Sequence, residues 1–178
     1  MSDTPINFNT PEAKIAKEVA YQLIQKKTGK NIKNQQIRKE TELMMRLVEE
    51  IEIKHELFLS NMCKRLNLNT ENAQSMFHTI AEEIFSDGIN WGRIIVLYAF
   101  AGKIAEHCRK SNDEQIIDKI ALWVAGFVAK KSSWIRDSGR GWNGFIENFD
   151  VKQDSWVQGL FAATLGLGTI AAALYIKS

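Results

Sequence analysis

Proline is nearly absent: Pro5 and Pro11 are the only two in 178 residues. Without the residue that interrupts an i→i−4 ladder, everything after position 11 is free to run in long helices. Cysteine is equally scarce, and Cys63 and Cys108 lie 45 residues apart with no C-x-x-C spacing. That excludes a disulfide framework and suits two reduced thiols in a cytosolic setting. The three histidines, His55, His78 and His107, form no H-x-x-x-H or H-E-x-x-H arrangement, so the patterns of a metal centre are missing. Charge of one sign is not in excess either. A net charge of +2 makes no broad electrostatic case for nucleic acid. The first ten residues, "MSDTPINFNT", are polar where an export signal would be basic and then apolar.

What remains is helical periodicity in an ordinary globular mixture, 45% hydrophobic and 25% charged. Ile15, Ala16, Val19, Ala20 and Leu23 stripe a first helix, which Thr10 caps with Pro11 in its first turn and Gly29 closes. Met44, Leu47, Val48, Ile51, His55, Phe58, Leu59 and Met62 stripe a second, long helix. A third runs from near Thr70 through Ala73, Met76, Phe77, Ile80, Ala81, Ile84 and Phe85 to a stop at Asp87-Gly88. The next, about residues 90–108, is apolar almost all round between Ile94 and Ala101. A helix without a polar face belongs at the centre of a bundle. "SNDE" at 111–114 reads as a capping box before a stripe of Ile116, Ile117, Ile120, Val124, Phe127 and Val128. No stretch alternates with period two for long enough to make a strand. The expected fold is all-α.

The C-terminal stretch departs from this pattern. From Ser155 to Ile176 no residue is charged: "SWVQGLFAATLGLGTIAAALYI". Counted from Trp156 it is 21 residues, about 31 Å as a helix, enough to cross a bilayer's hydrocarbon. Trp156 and Tyr175 stand near its ends, and Ala162 and Gly166 form a small-xxx-small pair. Gln158, Thr164, Thr169 and three glycines dilute the signal, so a weakly hydrophobic buried helix is the alternative. The expectation is two parts: residues 1–154 as a cytosolic bundle and 155–178 as a membrane anchor inserted after translation.

"SGRGWNGF", residues 138–145, raises a separate question, because Gly139, Gly141 and Gly144 spell the G-x-G-x-x-G of a dinucleotide loop. That loop needs a strand before it and an acid about twenty residues after it. Here "SSWIRD" precedes it as a short helix and the uncharged tail follows, so the nucleotide reading fails. The glycines fit a corner between two helices instead, with Gly139 or Gly141 in a left-handed cap. Asn90-Trp91-Gly92-Arg93 is the other conspicuous group. Asn90 is a natural N-cap, which places Gly92 and Arg93 in the first turn of the central helix, where free N–H groups favour an anion. Arg93 adds a planar fork for one carboxylate, and Gly92 leaves room for another helix. An intramolecular pair of Arg93 with Asp87 or Glu83 is the competing reading.

"WIRDSGRGWNGFIENF" resembles the second homology segment of the Bcl-2 family of apoptosis regulators, and "FSDGINWGRIIVLYAFAGKIA", residues 85–105, resembles the first. The likeness extends from about Glu40 to Phe149. It implies a Bcl-2-like helical bundle with a central hydrophobic helix ringed by amphipathic ones, plus a C-terminal transmembrane helix. It also implies a groove that receives the amphipathic death-motif helix of a partner, the third homology segment of a pro-apoptotic relative. Carried over by position, the groove wall is Ile51, His55, Phe58, Leu59, Met62, Ile80, Ile84, Val96 and Phe100, with Phe149 from the corner helix. Asn90, Gly92 and Arg93 form its polar end. His55 stands where members of the family often carry tyrosine. No catalytic residue, cofactor, metal, nucleic acid or small-molecule substrate is implied.

The family holds both survival proteins and pore-forming executioners. An executioner must present its own third segment, with a small residue followed by Asp. The corresponding stretch here is "MMRLVEEIEIKH", residues 44–55, with Val48 and Glu49 at those positions. A branched valine holds a helix away from a floor built for glycine, which favours the survival role. "KHELFLSNMCKRLNL" and "WIRDSGRGWNGFIENFDVKQ" resemble the myeloid-leukaemia-type and A1-like survival branch, with Arg140 as an extra residue, read as a local bulge. The implied location is the cytosolic face of the mitochondrial outer membrane or the endoplasmic reticulum.

Overall fold

The computed structural model describes residues 5–30, 32–69, 71–110 and 114–150. Within them the chain forms α1 (Pro11–Lys27), α2 (Lys39–Arg65), α3 (Ala73–Ile84), α4 (Trp91–Lys110), α5 (Glu114–Ala129), α6 (Ser132–Asp137) and α7 (Gly141–Phe149), with no strand among the described residues. The all-α expectation holds. The 111–113 part of the capping box, Thr70 and the whole of the expected membrane span lie outside the described residues. Among those described, no helix is long and apolar enough to cross a membrane.

Each helix starts and stops for local reasons. The Thr10 hydroxyl accepts from the Ala13 amide at 3.2 Å and Pro11 fills the first helical position, where its missing N–H costs nothing. Thr28 closes α1, and Gly29 turns the chain away at a φ of +73°. The Asn90 side chain accepts from the Arg93 amide at 2.8 Å, the cap its position predicts. α3 ends at Ile84, a turn short of Asp87-Gly88, and Gly88 takes a φ of +113° in the link to α4.

α4 is the axis of the bundle. Every residue from Trp91 to Gly102 is buried, because α1, α2, α3 and α5 pack around it. Fully burying each of its large aliphatic side chains contributes roughly 1.5–3 kcal/mol. Burial also brings polar obligations, and in the middle of the helix the one to be met is the Tyr98 hydroxyl. It donates to the Ala16 carbonyl of α1 at 2.8 Å and so avoids the cost of an unmet donor. The Trp142 indole likewise donates to the Glu12 carbonyl at 3.1 Å, which ties α7 to the start of α1.

α2 contains a break that periodicity does not reveal. His55 has non-helical backbone angles, φ −128° and ψ 25°, so the helix bends there. The turn before the bend is pinned: the Lys27 ammonium of α1 pairs with the Glu52 carboxylate and lies 3.9 Å from Glu106 of α4. Burial pushes the Glu52 carboxyl above its ordinary range, and Lys27 opposes that shift. On either side of the bend Ile53 and Leu57 face solvent.

Candidate functional site

The three stripes converge on one side of α4. Ile51, His55, Phe58, Leu59 and Met62 from α2, Ile80 and Ile84 from α3, and Val96, Ala99 and Phe100 from α4 line a single apolar cleft. Nine of these ten are the residues expected from sequence. Ala99 was missed, although it follows Val96 by three on the same helical face. Beneath the cleft Phe100 stacks on Phe77 with ring centroids 6.3 Å apart, and Trp123 of α5 meets Phe77 at 6.1 Å.

The cleft encloses only about 20 Å³, room for about one water. A helix with its side chains is about 10–12 Å across, so occupancy requires the walls to part. Phe58, Leu59 and Met62 stand beyond the bend at His55, on the part of α2 that follows the pinned turn. Burial and the adjacent Lys54 hold the His55 imidazole below its ordinary range.

Phe149 does not line this cleft. It packs on Phe145 with centroids 5.6 Å apart, and its carbonyl accepts from Arg46 of α2 at 2.8 Å. The reason is the corner: α7 is held against α1 and the first half of α2, upstream of the cleft wall.

At the start of α4 the structure brings Asn90, Gly92 and Arg93 together as one capped turn, with Gly92 and Arg93 buried. The Arg93 guanidinium is engaged inside the molecule. Its Nη1 donates to the Gly88 carbonyl at 2.7 Å, and its Nη2 lies 3.8 Å from Oδ2 of Asp87. Of the two acids considered from sequence, Asp87 is the one it meets. Nε is buried with no hydrogen-bond partner among the described residues.

The glycine corner lies immediately behind this turn. Trp91, the residue before Gly92, donates its indole N–H to the Gly139 carbonyl at 3.3 Å and packs among Trp134, Trp142 and Phe145. A methyl at Gly144 would fall 1.9 Å from the Gly139 oxygen, and one at Gly139 would fall 2.8 Å from the Ile135 oxygen. Gly141 has open space around it and serves conformation instead, at a φ of +67°. Of the two glycines expected to be left-handed, Gly141 is and Gly139 is not; Arg140 joins Gly141 in that region, at φ 57° and ψ 36°, as the N-cap of α7. The extra residue is thus absorbed as a left-handed turn, with its side chain on Glu147 at 2.7 Å. Two helices therefore flank the motif, α6 and α7, where a dinucleotide site would need a strand before it.

The stretch "MMRLVEEIEIKH" lies within α2. Met44, Leu47, Val48 and Ile51 face the core, while Glu49 is exposed. Among the described residues no cluster of His, Cys, Asp or Glu is arranged to hold a metal ion.

A model of the family described as "Apoptosis regulator proteins, Bcl-2 family" matches residues 44–142. Apoptosis regulator Bcl-2 of Canis lupus familiaris is 31% identical over 121 residues, 65% of this chain and 50% of that protein. Bcl-2-like protein 1 of Homo sapiens is 28% identical over 100 residues, 56% of this chain and 42% of that protein. The chain thus spans half or less of the length of these curated relatives. Among solved structures, Trichoplax adhaerens trBcl-2L2 bound to trBak BH3 superposes with a TM-score of 0.70 at 29% identity, covering 78% of this chain and 99% of that one. Chicken BOK superposes with a TM-score of 0.67 at 22% identity, covering 77% and 95%, which is a likeness of fold.

Proposed function

The chain belongs to the Bcl-2 family of apoptosis regulators, and from that premise we propose that it is a survival member, which sequesters the death-motif helices of pro-apoptotic relatives in the α2–α3–α4 cleft. The observation that carries this reading is the convergence of nine expected residues on one apolar cleft, with a buried arginine at the start of α4. The Trichoplax relative, bound to a BH3 segment, supports it. The apolar side chains of an amphipathic helix would replace the walls' contacts with each other, and its acid would meet Arg93. Sequestering such helices would prevent permeabilisation of the mitochondrial outer membrane.

Val48 and Glu49 support the survival side, because a branched residue and a longer acid make the chain's own third segment a poor donor for another groove. The resemblance of residues 54–68 and 134–153 to the myeloid-leukaemia-type and A1-like branch points the same way. We further propose that the uncharged stretch 155–176 anchors the chain by its tail to the mitochondrial outer membrane or the endoplasmic reticulum, with residues 1–154 in the cytosol.

The test is release of contents from mitochondria or liposomes on addition of an activated executioner. The protein should suppress release and should bind death-motif peptides in the nanomolar to micromolar range. Permeabilisation by this protein alone, spontaneous or peptide-triggered, would assign it to the executioners. Indifference to every such peptide would leave it a structural membrane tether.

A further inference from the structure

Lys131 is a half-buried cation that no acid pairs with among the described residues. Its backbone is fixed where α5 gives way to α6. The N–H donates to the Val128 carbonyl at 2.8 Å, and the Lys131 carbonyl accepts from the Ile135 amide at 2.9 Å. From that turn the side chain reaches two aromatic rings. Nζ lies 5.2 Å from the centroid of Phe85 and 5.0 Å from that of Phe127. The two rings meet at 5.5 Å with a tilt of 34°, so the ammonium is held by a pair of ring faces. Such contacts strengthen where water is partly excluded. Burial pushes the Lys131 amine below its ordinary range, and the neighbouring Lys130 adds to that shift. Phe85 is the C-cap of α3, a helix with no base in its own last turn and no side-chain cap at its start. Lys131 therefore brings from another element the cation that a helix C-terminus favours. Ile84, the residue before Phe85, lines the cleft, so this contact fastens the end of one cleft wall.

We propose that Lys131 is an acylation site whose charge latches α3 to the α5–α6 corner, and that acylation releases the latch. Desolvation and a second cation alongside are the conditions that activate a lysine amine as a nucleophile. The neutral Nζ bonds to the carbonyl carbon of an acyl thioester, the C–S bond breaks, and the amine's surplus proton leaves with the thiol. The product amide is uncharged, so it loses its attraction to both ring faces and to the end of α3. Lys130, exposed and adjacent, is the natural internal standard for reactivity. Neither the latch nor its release depends on what occupies the cleft.

The experiment has two arms. Full-length protein, folded or in urea, is incubated with acetyl coenzyme A at mildly alkaline pH, and acetylation is followed site by site by mass spectrometry. In the folded chain Lys131 should react about twofold or more faster than Lys130, and urea should bring the two rates together. Hydrogen exchange then compares the parent with Lys131→Gln and Lys131→Arg, with melting temperatures alongside. Amides in the last turn of α3 should exchange about three- to tenfold faster in Lys131→Gln, the effect of losing a partly desolvated cation–π contact. Lys131→Arg keeps the charge and should stay within about twofold of the parent. Should Lys131→Gln fail to fold, the acetylated parent gives the same comparison. A Lys131 that reacts no faster than Lys130 would overturn the acylation site. Unchanged exchange in Lys131→Gln, or equal acceleration in Lys131→Arg, would overturn the latch.

Discussion

Replacing Gly144 with alanine puts a methyl carbon 1.9 Å from the carbonyl oxygen of Gly139 and 3.0 Å from Cβ of Arg140. Both neighbours belong to the same tight corner, and the nearer is backbone, so no rotamer change relieves the contact. The corner must open, which separates α6 from α7 and loosens the Trp91 indole from its acceptor at Gly139. Overpacking typically costs 1–3 kcal/mol, and a backbone conflict this close belongs at or above about 3 kcal/mol. Gly141 is the control within the motif. Alanine there meets no atom within 4 Å and suffers only from a φ of +67°, a strain of roughly 1–2 kcal/mol. At about 2–4 °C per kcal/mol for a chain of this length, Gly144→Ala should melt about 6–12 °C below the parent and clearly below Gly141→Ala. Circular dichroism at 222 nm follows the melt. Adding NAD or NADP should leave all three melting temperatures unmoved, because a bound ligand would raise them. A Gly144→Ala protein as stable as the parent, or a rise with dinucleotide, would refute the close-approach account of the fingerprint.

Other perturbations test other levels of the structure. Arg93→Ala should cost roughly 2–5 kcal/mol in affinity for an acid-bearing death-motif helix, much of it from stranding the partner's acid. That is on the order of 30-fold or more. If the losses from Arg93→Ala and from removing the ligand's Asp simply add, Arg93 does not touch that carboxylate. Lys27→Met should strand Glu52, whose Oε1 already lacks a hydrogen-bond partner among the described residues, and destabilise the fold by roughly 1–3 kcal/mol in urea titrations, partial exposure keeping it under the fully buried figure. Because burial raises the Glu52 carboxyl in the folded state, the folded chain binds that proton more tightly than the unfolded one. Stability of the variant should therefore fall as pH rises from the ordinary carboxylate range towards 8. Adding Glu52→Gln should remove that slope, and a slope of the opposite sign would show the pairing to be misread. Residues 1–154 alone should be a soluble helical monomer, while the full chain partitions to membranes on fractionation. A full-length protein that stays in the cytosol when its partners are abundant would end the anchor proposal.

The helices and much of the cleft wall were legible because each depends on residues close in sequence. A cap such as Thr10 or Asn90 reaches an amide three residues away, and Ile51, Phe58, Leu59 and Met62 share a face by helical period alone. The apolar ring from Ile94 to Ala101 told where α4 belongs, since a helix with no polar side has to be surrounded. Even the failure of the dinucleotide fingerprint was readable from its flanks.

What only the tertiary structure decided involves groups far apart in sequence, or competition between near ones. Periodicity does not register the bend at His55, because the stripe continues through it. Position alone puts Phe149 in the cleft, but Arg46, 103 residues away, holds its carbonyl elsewhere. Gly139 and Gly144 looked alike to any motif, yet one lies against the Ile135 carbonyl and the other against the Gly139 carbonyl itself. Arg93 had two acids within reach along the chain, Glu83 and Asp87. The choice fell to Asp87 because the Gly88 turn, at a φ no other residue adopts readily, brings that side chain and its own carbonyl round to face the guanidinium.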